Sequence, residues 1–369
     1  MNIYSLSISC FVLSASFALA GGIELQTLDT SVIYEQGNHV AFSTARIDAS
    51  VEGFNTGAGL AAVSKKQTVT DQTVTNITAK FDFGENLSFG LTTYRSGAIK
   101  LSGGNGVNGN LAPTGDVDLD TTAFMIKYSL NQNMSLLGGI TQNSLQGGNV
   151  TTLAGSYDVS GASKQGYFVG AAYSIPEIAL RAELLYQPKT KIDTTASFAG
   201  TGLLAGFNNP SSVSSLSLPE SYALSFQTGI AADTLLIASY RKAMWSKSQV
   251  DVNVSNIAPF NGANIATSFA DSEAYSIGIG RKFTDNLSGS ITYSNEKGSS
   301  STSTSLFTVS NGSEAISAGL KYTRDNMAVS AGVSRRNVGD VIVNAAGIGQ
   351  MKYSGNSVTS MGLKVSFAF

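Results

Sequence analysis

Apolar and polar residues alternate along most of this chain. In Gly355 to Phe369, Met361, Leu363, Val365, Phe367 and Phe369 fall on one side of an extended strand, and Ser360, Gly362, Lys364, Ser366 and Ala368 on the other. The pattern recurs upstream. Ile178, Leu180, Ala182, Leu184 and Tyr186 oppose Arg181, Glu183 and Gln187, while Ile316, Ala318, Leu320 and Tyr322 oppose Ser317, Gly319 and Lys321. In the first such segment, 40–53, Ala41, Ala45, Ile47, Ala49 and Val51 share a face opposite Arg46, Asp48, Ser50 and Glu52. A period of two predicts strands with one apolar and one polar face.

These segments meet in pairs at short turns: Gly84-Glu85-Asn86, Asn131-Gln132-Asn133, Ile175-Pro176-Glu177, Ala231-Ala232-Asp233, Thr284-Asp285-Asn286 and Arg324-Asp325-Asn326. The other connections are long and rich in Gly, Ser, Thr and Asn: 54–67, 102–115, 147–164, 193–218, 255–271, 298–312 and 344–354. With a first and a last strand added, the sum is about fourteen, an even number. The expectation is an all-β, transmembrane, antiparallel up-and-down β-barrel of about fourteen strands. Its apolar face meets lipid, its polar face lines a lumen and its long loops lie on one side. Tyr128, Tyr173, Tyr186, Tyr240, Tyr293 and Tyr322 lie toward strand ends, where girdles meet the headgroups.

Composition narrows the function. Net charge is -2 and 13% of residues are charged, which gives no basis for nucleic-acid binding. After the first twenty residues no apolar run reaches about 18, which excludes helical spans. Ile3 to Leu19 is apolar and Ala18-Leu19-Ala20 suits signal cleavage, so 1–20 is predicted as a secretory signal, 21–38 as an N-terminal plug and 39–369 as the barrel. The single cysteine, Cys10, falls in the signal, which removes thiolate chemistry from the mature chain. The single histidine, His39, opens the first strand, far from the outer rim, so no hydrolase is predicted. Asp116, Asp118 and Asp120 share a face that suits either a divalent ion or an exposed rim, and the rim is preferred because no calcium-loop spacing accompanies them. No cofactor or metal is expected.

Leu218-Pro219-Glu220-Ser221, an alternating strand, an Ala-Asp turn, and Tyr240 to Ser246 with Trp245-Ser246 resemble the FadL family of outer-membrane long-chain fatty-acid transporters. Strand count, length and the terminal phenylalanine agree with it. The resemblance implies a monomer in the outer membrane of a Gram-negative bacterium, closed by an N-terminal hatch. It passes long-chain fatty acids or other lipophiles inward by diffusion. The implied route runs from outer loops to an apolar lumen pocket and out through a lateral gap at a kinked third strand. Implied partners are the lipophile, outer-membrane lipid and lipopolysaccharide, and the barrel-assembly machinery reading the last strand. The chain departs from the family in lacking an Asn-Pro-Ala hatch motif, for no proline precedes Pro113. Gly97, in Arg95-Ser96-Gly97, is the expected kink, since glycine weakens strand pairing.

The expected ligand contacts follow. Phe198, Leu203, Leu204 and Phe207 stud one outer loop, and Phe260, with Ile257, Pro259, Ile265 and Phe269, the next. Strand parity turns Arg46, Lys80, Lys127, Arg181, Arg241 and Lys321 inward, together with Phe168 and Trp245. A guanidinium suits a carboxylate head, but the same arginines are also suited to pair with Asp48, Glu52, Asp82 or Glu183. The rival readings are a general porin for small polar solutes and a surface barrel serving adhesion or phage attachment.

Overall fold

The computed structural model describes residues 23–56, 65–104, 110–201, 204–253, 264–345 and 349–369. The predicted signal, Leu203 and Phe260 lie outside them. Fourteen strands make the wall: β1 (His39–Ser50), β2 (Gln72–Phe83), β3 (Leu87–Ser102), β4 (Thr114–Ser129), β5 (Met134–Thr152), β6 (Ala162–Ile175) and β7 (Leu180–Gln187). They continue as β8 (Ser221–Ala231), β9 (Thr234–Ala243), β10 (Ser272–Lys282), β11 (Leu287–Glu296), β12 (Ser313–Arg324), β13 (Met327–Val338) and β14 (Asn356–Ala368). Each pairs antiparallel with the next, and β14 pairs with β1 from Ala368 opposite His39 to Ser357 opposite Ser50, so the sheet closes. Closure pairs the first strand with the last, which removes the free sheet ends that a bilayer forbids.

The six short turns sit where the sequence puts them. Gly84, Asp233 and Asp325 take positive φ (71°, 56° and 53°), a conformation glycine adopts freely and aspartate tolerates. Outside, Phe42, Ile77, Phe124, Leu224, Ile277, Ile291, Ile316 and Leu363 are exposed and form an apolar belt. Tyr128, Tyr173 and Tyr322 ring its short-turn end, and Tyr186, Tyr240 and Tyr293 the other. Lipid covers such a surface.

β1 is inverted relative to its predicted orientation. Ala41, Ala45 and Ile47 are buried inside, whereas Phe42 and Arg46 point out. Arg46 sits opposite Met361, which is itself exposed outside, and pairs with Asp48 (2.7 Å) and Asp71 (3.3 Å). The apolar face of β1 meets an apolar interior at this height, so counting apolar residues picks the wrong side.

The long connections are also more regular than predicted. Strands Gly155–Val159, Thr190–Gly200, Asn208–Leu218, Asp251–Asn253 and Asn264–Ala266 extend the barrel sheet above the belt. Glu52–Asn55, Lys66–Gln67, Thr302–Ser303, Val341–Ala345 and Gly349–Tyr353 make a second sheet. Ser and Thr hide the alternation there, but Leu216, Leu218, Val341, Val343, Met351 and Tyr353 are all buried. Together they form a cap whose apolar core includes Trp245 and continues to Ile23, Ile47, Val74 and Ile99.

Candidate functional site

Residues 23–38, termed the plug, lie inside the barrel against its inner wall. A 3-10 turn, Ser31–Tyr34, puts Val32 and Ile33 against Tyr94, Met125, Leu137, Phe168 and Leu185. Phe168 therefore points inward as expected, fully buried, and serves as a seat for the plug. Lys80 Nζ donates to the carbonyls of Glu35 (2.7 Å) and Gly37 (3.0 Å), and Thr30 and Tyr34 donate to the buried carboxylate of Glu183. Arg241 faces inward and donates through both terminal nitrogens to Glu24 (2.6 and 2.7 Å). Arg181 also faces inward, 4.0 Å from the Tyr34 ring centroid, and bonds Gln227.

The first residues of the plug occupy a break in the wall. β2 and β3 pair only from Thr78 opposite Thr92 to Phe83 opposite Leu87. Above that, Ile77 donates only to the Thr93 hydroxyl (2.9 Å), and the chains rejoin at Val69 and Leu101. Across the interval Leu25 N–H donates to Ser96 O (3.1 Å) and Ala98 N–H to Ile23 O (2.9 Å), so the plug takes the edge that β2 leaves. Gly97 stands here, at a bulge in the pairing of β3 with β4. A Cβ on it would lie 3.1 Å from Ile23 O. Outside the break, Arg95 pairs with Asp118 (3.2 Å) and Asp120 (3.1 Å), and Lys100 with Asp118 and Asp116. Those aspartates are thus neutralised by cations.

The cap holds the remaining predicted contacts. Trp245 is fully buried, edge-on to Phe269 at 5.8 Å, and Phe198 is buried against Tyr157 at 4.8 Å. Leu204 packs on the same core, whereas Phe207 is exposed.

The lumen beside the plug is of mixed polarity, not the purely apolar pocket that the resemblance implies. The plug's apolar side seats on β3 to β7, and its other side faces a cavity of about 320 Å³ against β7 to β13. Ser225, Ser239, Ser276, Thr292 and Ser317 line it, with Glu24, Glu183, Arg181 and Arg241. Apolar surface lies instead in the cap core and behind the break. Sequence reasoning missed Glu24, Tyr34, Glu296 and Arg336. The last two are visible by strand parity, but Glu24 and Tyr34 lie in a segment without period.

A closed, plugged, fourteen-strand transmembrane barrel with an interrupted β2–β3 ladder is the class these features define. No protein-family description matches the sequence, and no curated protein is similar to it in sequence. Solved structures are similar in fold. A Pseudomonas aeruginosa FadL homologue aligns over 96% of this chain and 98% of its own, with TM-score 0.75 and 13% identity. The P. putida toluene transporter TodX aligns over 92% of each chain, with TM-score 0.64 and 11% identity. The Ralstonia pickettii toluene transporter TbuX aligns over 95% of each, with TM-score 0.62 and 12% identity. The resemblance read in the sequence thus holds at the level of the fold.

Proposed function

We propose that this chain is an outer-membrane channel through which lipophilic molecules pass passively, from the cap to the break between β2 and β3. The observation that carries this reading is the interrupted ladder, backed by the apolar core and plugged by Ile23–Leu25. The space below carries rows of hydroxyls and several charges that an apolar molecule cannot satisfy, so sideways release is the less costly path. Gly97 is then the gating position, and Trp245, Phe198, Leu204 and Phe207 are contacts on the way in. Fold neighbours described as toluene transporters and as a FadL homologue support the lipophile class.

Of the three arginines, Arg181, bonded to Gln227 and lying over Tyr34, is the one placed to meet a carboxylate head. Arg46 lies outside, and a carboxylate would have to displace Glu24 from Arg241. The reading includes removal of 1–20 on export, insertion by the barrel-assembly machinery through β14, contact with lipopolysaccharide, and a monomeric state.

Trp245 is the only tryptophan, so it reports on the cap. Bromobenzene should quench its fluorescence saturably in micelles, with toluene competing. Quenching that stays linear in bromobenzene and insensitive to toluene contradicts the route.

A further inference from the structure

The cavity beside the plug is not used by the lipophile route, and one side of it carries rows of hydroxyls. Ser225, Ser239, Ser276, Thr292, Ser294 and Ser317 present hydroxyls from five adjacent strands, β8 to β12, with Ser239 and Ser276 bonded to each other at 2.7 Å. Each hydroxyl both donates and accepts. Ser225, Asp29 and Ser31 on its lining are exposed.

One group in the lining is unanswered. Glu296 is 5% exposed and lines the cavity, and its Oε1 has no hydrogen-bond partner among the described residues. Among the described residues its other oxygen accepts a long bond from Ser313 (3.5 Å), whose own oxygen accepts from Arg336 at 2.6 Å, and the Arg336 guanidinium acts on the carboxylate through its charge. A buried carboxylate oxygen left in this way calls for a donor from a guest.

The charges say which guest. Glu24, Asp29, Glu183 and Glu296 stand beside Arg181, Arg241 and Arg336, so acids and bases are close to balance and the lining suits a neutral guest. Arg241 is committed to Glu24. We propose that the cavity is a second binding site, for a small neutral polyhydroxylated solute of the sugar or polyol class. Ligand hydroxyls donate to Glu296 Oε1 and exchange hydrogen bonds with the serine rows. The volume suits one small ring and not a long alkyl chain.

The test uses the full mature chain in detergent micelles, with glucose as the probe and saturation-transfer NMR as the readout. A saturable glucose signal is expected. Ser239→Phe, which fills the cavity, should abolish it, and Glu296→Ala should weaken affinity at least tenfold. Heat-modifiable gel mobility checks that both variants fold, and acetate should not compete. A folded wild type without a saturable signal, a signal unchanged by Ser239→Phe, or competition by acetate overturns the proposal. Bromobenzene quenching of Trp245 in the same samples separates the two readings. Quenching without glucose binding removes this site alone, and glucose binding without quenching removes the lipophile route alone.

Discussion

At the residue scale the contact between wall and plug that matters most is Arg241 with Glu24, a bidentate pair of which the acid is 6% exposed and the base 20%. Removing one partner from such a pair strands a charge and costs roughly 3–5 kcal/mol. Arg241→Ala should therefore loosen residues 23–28, read as faster amide hydrogen exchange there with the barrel's own protection unchanged. Burial pushes the Glu24 carboxyl above the usual carboxylate range, with Arg241 opposing it. In the variant the opposition is gone, so plug docking should be firm at acid pH and weaken as pH rises through the raised value. Arg241 was legible as inward-facing from strand parity. Its partner was not, because Glu24 sits outside any periodic segment, and the acids expected to neutralise it came from the wall. Arg46 failed for a different reason: the interior beside β1 is apolar, so parity combined with apolar count inverted the strand.

At the scale of elements, the break and the cap make separate predictions. Gly97→Val places side-chain atoms against the Ile23 carbonyl, already 3.1 Å from a bare Cβ. Exchange at Leu25 and Ala98 should rise at least tenfold and lipophile transfer should change, while heat-modifiable mobility persists. In the cap, burial raises the Tyr157 phenol to about 12. A raised acid favours the neutral folded form, so its contribution is complete below about 10 and lost as pH climbs toward 12, roughly 2–3 kcal/mol in all. Ultraviolet titration should show this tyrosine ionising after the exposed ones. Gly97 could be singled out because glycine is weak in a strand, but the plug's occupation of the β3 edge could not, since Ile23 to Leu25 carries no strand signal of its own. The cap strands were hidden similarly, by Ser and Thr that blur the alternation around Leu216 and Val343.

For the whole molecule, the wall was legible almost throughout. Only every second residue must suit lipid, and the short Asn/Asp/Gly turns fixed the pairing of strands such as β10 with β11. The lumen was not legible, because polar and apolar fillings of a barrel leave the same outward face. The interior is asymmetric, with the plug on one half, a hydroxyl-bearing cavity on the other, and a wall whose ladder is interrupted where β2 and β3 part. Sideways release through that opening is the central claim. If the ladder continued upward, Thr75 and Arg95 would face each other, so cysteines at these two positions allow it to be sealed by oxidation and reopened by reduction. The account predicts that, in proteoliposomes, transfer of toluene into the bilayer stops when the disulfide forms and resumes when it is reduced. Transfer at an undiminished rate with the disulfide fully formed would contradict it.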